Sequence, residues 1–240
     1  MKDQVKYSLA GFCMGAAELI PGISGSTVAV IFKIYPNLMT ILSQLRLKNI
    51  SLNFSFISQT FQFRVSIPLI FSMLAAIFLC SNLISFLMNN YEQLFLHLLG
   101  WLMMFLSIYV ANFLKASLKR FNLLVFLFLG ILMGYFLQEL NINSGAVTPL
   151  YLFISGVISF SFFLIPGISG SAILVVLGAY STVIQATANL NFLFLFPFAL
   201  GCLTSLLILP KLVMSLYLKY EQRLMYIFSG LIFSSGYFLL

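Results

Sequence analysis

Charged side chains are scarce in this chain. They make up 7% of its 240 residues, twelve Lys and Arg against five Asp and Glu, with one His and three Cys. A soluble domain averages about 25% charged residues, so a soluble globular domain is excluded. One His and five carboxylates supply neither a metal cluster nor a nucleophile with an adjacent base, which argues against an enzyme. No glycine-rich phosphate loop of the G-x-x-x-x-G-K-[ST] type occurs, so ATP is not the energy source and no cofactor is expected. Cys13, Cys80 and Cys202 are scattered through apolar segments without a C-x-x-C pair and read as inert thiols.

What is present is apolar. Hydrophobic residues make up 62% of the chain and mean hydropathy is +1.09. They are gathered into segments of about 20 residues, the length that crosses roughly 30 Å of hydrocarbon. The chain is therefore expected to be an all-α integral membrane protein. The net charge of +7 falls in short loops; no nucleic-acid partner is implied, and the pattern reads as cytoplasmic-loop bias. Lys2 and Lys6 before an apolar run raise the question of a cleaved signal. A lipoprotein signal would need Cys where Phe12 stands, and cleavage would sever the motif described next, so the segment is read as retained.

Within this apolar sequence the octapeptide Leu-Ile-Pro-Gly-Ile-Ser-Gly-Ser occurs twice, at 19–26 and 164–171. At the same offset of 145, Gly11 matches Gly156, Val30 matches Val175 and Tyr35 matches Tyr180. Further on the offset falls to 129: Pro68 matches Pro197, and Tyr91-Glu92-Gln93 matches Tyr220-Glu221-Gln222. Two homologous halves are expected, a first repeat over 1–114 and a second over 146–240, with a connecting span within 115–145.

Charge placement orients them. Apolar runs lie at 7–35, 65–88, 94–114, 121–138, 149–180, 192–217 and 224–240. If 7–35 crossed the membrane once, Lys2 and Lys6 would lie opposite Arg46, Lys48 and Arg64, against the positive-inside rule. If it dips in and returns at Pro21-Gly22, both ends are cytoplasmic. Glu92 and Glu139 then lie outside, Lys115–Arg120 inside, and the second motif region enters from the other face. The expected fold is an inverted-topology repeat with two re-entrant helical hairpins plus about five transmembrane helices and a cytoplasmic N-terminus. A single kinked helix through each motif remains the alternative, and the stretch 43–62 reads equally as an interfacial helix or an ordered loop.

In lipid, broken backbone survives only where it is buried in protein or lines a cavity, and paired breaks in two halves point to a binding site. After Pro-Gly the chain must restart a helix, with Ser24 and Ser169 as N-caps and Ser26 and Ser171 in the first turn. Such termini present N–H groups to anions, and Gly25 and Gly170 permit close approach. Phosphate or phosphonate is the natural guest, with carboxylate or halide next. Tight turns and close helix packing are the purely structural alternative. Glu18 lies at membrane depth, where a carboxylate is functional by default; its repeat counterpart is Phe163. Lys33, Arg64 and Lys211 are further candidates for an anionic head group, against a role as snorkelling anchors. His97, Glu92 and Glu221 read as structural, the two carboxylates opening helices.

The stretch Gly11–Tyr35, with the second Pro-Gly-Ile-Ser-Gly-Ser and Gly178-Ala179-Tyr180, resembles a bacterial membrane family associated with polyprenyl-phosphate translocation, the PopT-type transporters. The resemblance covers essentially the whole chain. It implies return of undecaprenyl phosphate to the cytoplasmic leaflet of the bacterial cytoplasmic membrane. It also implies functional roles for Glu18, for Pro21, Gly22, Ser24, Gly25, Ser26 and Thr27, and for Pro166, Gly167, Ser169, Gly170 and Ser171. The family pattern has Gly-Gly where Gly25-Ser26 stands and Gly where Lys33 stands, so Lys33 adds positive charge near the site. A lipid-phosphate flippase working among membrane lipids is the leading expectation, with a proton or sodium ion as coupling partner and homo-oligomerisation both left open. A small-anion channel or carrier, an intramembrane lipid-phosphate enzyme and a structural membrane subunit are the alternatives.

Overall fold

A computed structural model of the chain describes residues 2–20, 22–45, 54–111, 121–140 and 148–240. All regular structure among these residues is helical: α1 (Lys2–Glu18), α2 (Gly25–Ile31), α3 (Tyr35–Ser43), α4 (Phe54–Thr60), α5 (Phe63–Val110), α6 (Phe121–Glu139), α7 (Pro149–Leu164), α8 (Gly170–Val176), α9 (Tyr180–Ala188) and α10 (Phe192–Tyr237). Three of them, α5, α6 and α10, are long and apolar enough to cross a membrane. Their outer faces are bare of polar cover: Phe71 is 74% and Phe78 78% exposed, a surface that water does not tolerate and lipid does.

Matched sequence positions share backbone geometry. Straight helices of the length of α5 and α10 would run about 70 Å, more than twice the hydrocarbon thickness. Each instead leaves helical geometry at one residue, Tyr91 (φ −140°, ψ 32°) and Tyr220 (φ −135°, ψ 36°). These are the matched tyrosines of the two Tyr-Glu-Gln copies. The runs 65–88 and 94–114, and 192–217 and 224–240, are thus joined through single-residue breaks rather than loops.

The two halves also share their packing. At Gly11 a Cβ would collide with the carbonyl of Leu69, and at Gly156 with that of Phe198. Gly11 and Gly156 are 145 apart, Leu69 and Phe198 are 129 apart, so one contact is built twice. Absence of a side chain lets the backbones touch, the usual way helices associate in lipid.

Register shows direction. Gly11 meets Leu69 and Gly15 meets Met73, so α1 and the first half of α5 run parallel. In the second half Gly156 meets Phe198 and Ser161 bonds Ser205 at 2.9 Å; α7 runs parallel to the first half of α10. The second half of α10 runs parallel to α6, Gly130 against Ile227 and Gly134 against Ser234. It runs antiparallel to the second half of α5, with Gly236 at Gly100 and the Ser229 hydroxyl donating to the Ser107 carbonyl at 2.6 Å.

The limb that follows each motif is not one continuous helix. Each is two short helices, α2 with α3 and α8 with α9, the latter pair bent by 113°. The joints contain Lys33 (φ 56°) and Gly178 (φ 66°), again 145 apart. Within the undecided stretch 43–62, α4 is helical; 46–53 lie outside the described residues, as do Pro21 and the charged residues Lys115, Lys119 and Arg120.

Candidate functional site

Both motifs break the chain in the same way. Gly22 and Gly167 adopt φ of 84° and 86°, the left-handed region that glycine enters without a Cβ penalty. Ser24 and Ser169 are the N-caps of α2 and α8. In each copy the two serine hydroxyls lie 2.7 Å apart, Ser24 with Ser26 and Ser169 with Ser171.

The breaks then meet. The backbone N–H of Gly167 donates to Thr27 Oγ1 at 2.8 Å, Ser24 Oγ donates to the Phe163 carbonyl at 3.3 Å, and Tyr35 Oη donates to the Leu164 carbonyl at 3.0 Å. Thus Ser24 and Thr27 at the start of α2, with Tyr35 of α3, satisfy backbone groups around the second break, and Pro166, fully buried, sits among them. The second half of α10 backs both tips. Ser235 Oγ donates to the Gly22 carbonyl at 2.8 Å, and Gly167 packs so close that a Cβ would lie 2.5 Å from the Ile232 nitrogen.

The copies differ at one matched position. The Glu18 carboxylate accepts the Gly25 N–H at 2.6 Å, and Ser26 N–H goes to Ser24 Oγ at 3.3 Å. The first-turn donors of α2 are therefore taken up internally. In the second copy Phe163 stands beside Gly170 where Glu18 stands beside Gly25, and Ser169 makes no cap bond.

Beside this second copy opens a large cavity, about 930 Å³, lined by Glu18, Gly22, Ser169, Ser171, Tyr180 and Glu139 among others. Its described lining includes no Lys or Arg; the donors it offers are neutral, namely hydroxyls, the Gln138 amide and backbone N–H groups. A smaller apolar cavity, about 240 Å³, lies on the other flank of Glu18 and Ser26, walled by Met14, Leu38, Met73 and Phe163.

Of the residues singled out from sequence, Glu18, Gly22, Ser24, Gly25, Ser26, Thr27, Pro166, Gly167, Ser169, Gly170 and Ser171 converge here. Pro21 lies outside the described residues. Lys33 lines a separate cavity. Arg64 is exposed in the first turn of α5, and Lys211 lies half-buried in α10 after the buried Pro210; neither lines any of these cavities. His97 bonds the Gln93 carbonyl of its own helix at 2.6 Å. Sequence reasoning passed over Tyr35, Tyr180, Glu139 and Ser235. The tyrosine pair was already visible as a repeat match, whereas Ser235 carries no motif and is brought in by packing alone.

Broken helices around a cavity, on a scaffold with apolar outer faces, define a helical membrane protein. The chain belongs to the undecaprenyl phosphate translocase-like family, whose profile matches residues 14–239. It is 27% identical over 232 residues to a protein of Vibrio cholerae named polyprenyl-phosphate transporter, covering 93% of this chain and 73% of that one. A Staphylococcus aureus protein of the same name is 28% identical over 198 residues, 77% of this chain and 66% of that one. The relatives are thus longer than this chain. No solved structure matches it.

Proposed function

We propose that the protein carries a polyprenyl phosphate between the leaflets of the bacterial cytoplasmic membrane, with the phosphate held in the large cavity against Ser169, Ser171 and the open first turn of α8. The observation that carries this reading is the meeting of the two motifs, Thr27 Oγ1 on the Gly167 N–H, beneath a cavity that both line. Family membership and the names of the relatives supply the substrate class. The isoprenoid chain stays in lipid or in an apolar groove.

The helix registers support the inverted topology. A re-entrant first motif makes α1 parallel to the first half of α5, and a second motif entering from the opposite face makes α7 parallel to the first half of α10. Both registers are as that topology requires, as are the directions of α6 and of the second halves of α5 and α10. With the breaks at Tyr91 and Tyr220 as turns, α5 and α10 count as four spans and α6 as the fifth.

Alternating access follows from an asymmetry between matched residues. Tyr35 is 1% exposed and bonded to the Leu164 carbonyl. Its repeat partner Tyr180 is 40% exposed and faces the large cavity together with Leu19, the partner of Leu164. One gate is shut and its twin open; exchange of the two conformations would move the opening to the other face. A phosphate in a cavity that contains Glu18 and Glu139 but no described cation brings like charges together. The substrate is therefore accompanied by a cation, either a proton on Glu18 or a sodium ion.

Liposomes containing the protein and a fluorescent polyprenyl phosphate test this. Protein-dependent movement between leaflets is expected, slowed about tenfold or more by Ser169→Ala with Ser171→Ala, since a hydrogen bond to a charged group contributes about 1.5–3 kcal/mol. Absence of movement overturns the proposal; movement of inorganic phosphate without lipid would favour a small-anion carrier.

A further inference from the structure

At the opposite end of the molecule lies a second polar cavity, about 370 Å³, lined by Lys33, Tyr35, Tyr109, Tyr217, Glu221 and Gln222 among others. Its position follows from α10: Gln222 and Tyr226 face this cavity, whereas Ser235 and Phe238 face the large one. Thirteen residues separate Gln222 from Ser235, about 20 Å along a helix. Between them Phe228, Leu231 and Ile232 are buried. The segment that leads into and through α2 gives the same layering, with Ile23 at the large cavity, Thr27 fully buried, and Val30 at the Lys33 cavity. The two cavities thus lie on either side of the motif layer, and Tyr35, bonded to Leu164, forms part of the floor between them.

Lys33 is the cation of this cavity and stands in a conformation that disfavours it. Its φ of 56° lies in the left-handed region that disfavours a residue with a Cβ, and the matched position holds Gly178. Retained left-handed strain is a pointer to function. The ammonium lies 5.4 Å from the centre of the Tyr109 ring, and among the described residues no carboxylate pairs with it. Glu221, on the same cavity, accepts instead from Tyr217 Oη at 2.9 Å. Lys219 and Arg223 flank Glu221 and Gln222 in the sequence and stack on Tyr220.

We propose that this cavity is a second phosphate-monoester site, with Lys33 as its charged ligand and the hydroxyls of Tyr109 and Tyr226 as neutral donors. It deepens the transport reading, on which it rests, by giving the head group a stop on the far side of the motif layer from Ser169 and Ser171. A lone ammonium on a flexible stem suits a phosphate that must also leave.

The test is calorimetric titration of the purified full chain in micelles with geranyl phosphate, a short water-dispersible prenyl phosphate. Two sites per chain are expected. Lys33→Gly weakens one of them by about tenfold or more and leaves the other intact, Lys33→Arg retains both, and Ser169→Ala with Ser171→Ala removes the other. Glycine accepts the backbone conformation, so the melting midpoint of Lys33→Gly is expected to be no lower than that of the parent, and lost binding then cannot be misfolding. Unchanged stoichiometry and affinities in Lys33→Gly overturn this proposal alone. Loss of only the Lys33-dependent site, with none assigned to Ser169 and Ser171, supports it and removes the site proposed for transport.

Discussion

At single residues, the duplicated motif has equal letters and unequal consequences. Gly22 and Gly167 share a left-handed φ, so alanine strains either backbone by about 1–2 kcal/mol. Their surroundings differ. A Cβ at Gly22 would lie 3.1 Å from the flexible end of Leu239, whereas at Gly167 it would lie 2.5 Å from the backbone of Ile232, which cannot give way. Gly167→Ala should therefore destabilise by about 3 kcal/mol or more and Gly22→Ala by about half that, read as melting midpoints in one detergent. Equal shifts would show that α10 does not clamp the second tip. The capping serines and the break glycines were legible from residue type. That Glu18 closes the first copy on itself was not, because the sequence shows a carboxylate at membrane depth but not the N–H seven residues on that it reaches.

Among the elements, helix pairing depends on glycines that place one backbone against another. Gly156→Leu would drive a side chain into the Phe198 carbonyl and part α7 from the first half of α10. Overpacking of this kind costs about 1–3 kcal/mol in an adaptable core and more against backbone. The expected outcome is a sharply reduced monodisperse fraction on size-exclusion chromatography, with the milder Gly156→Ser variant giving an intermediate value. A wild-type profile for Gly156→Leu would remove the close contact. Hydropathy alone located the apolar runs to within a few residues. It gave no sign that α5 and α10 pass through their breaks without loops, because Tyr91 and Tyr220 are neither Pro nor Gly and their neighbours are good helix formers. The joints at Lys33 and Gly178 were equally hidden, since the lysine masks a position whose conformation suits glycine.

For the whole molecule, the matched tyrosines give the sharpest test of alternating access. Tyr35 holds the Leu164 carbonyl in this structure, and Tyr180 has the equivalent Leu19 across an open cavity. If the two gates exchange, Tyr180→Phe removes a bond that forms only in the other conformation. It should slow leaflet transfer several-fold, as loss of one bond of about 1 kcal/mol implies, while the melting midpoint stays unchanged. Tyr35→Phe should lower the midpoint and favour the other conformation, seen as faster labelling of cysteines placed along the Lys33 cavity. Normal transport in Tyr180→Phe would argue against a gate there.

Residue types by themselves determined that this chain lives in a membrane, that it carries one motif twice, and that each copy places Pro-Gly inside an apolar stretch. Those properties are local: hydropathy, helix breaking and capping act within a few residues. Only the tertiary structure decided which backbone groups of one copy are satisfied by the other, and which of two matched tyrosines is buried. Bonds between residues more than a hundred positions apart depend on where helices meet, and two copies of one motif become unequal only when the surrounding chain holds them in different conformations.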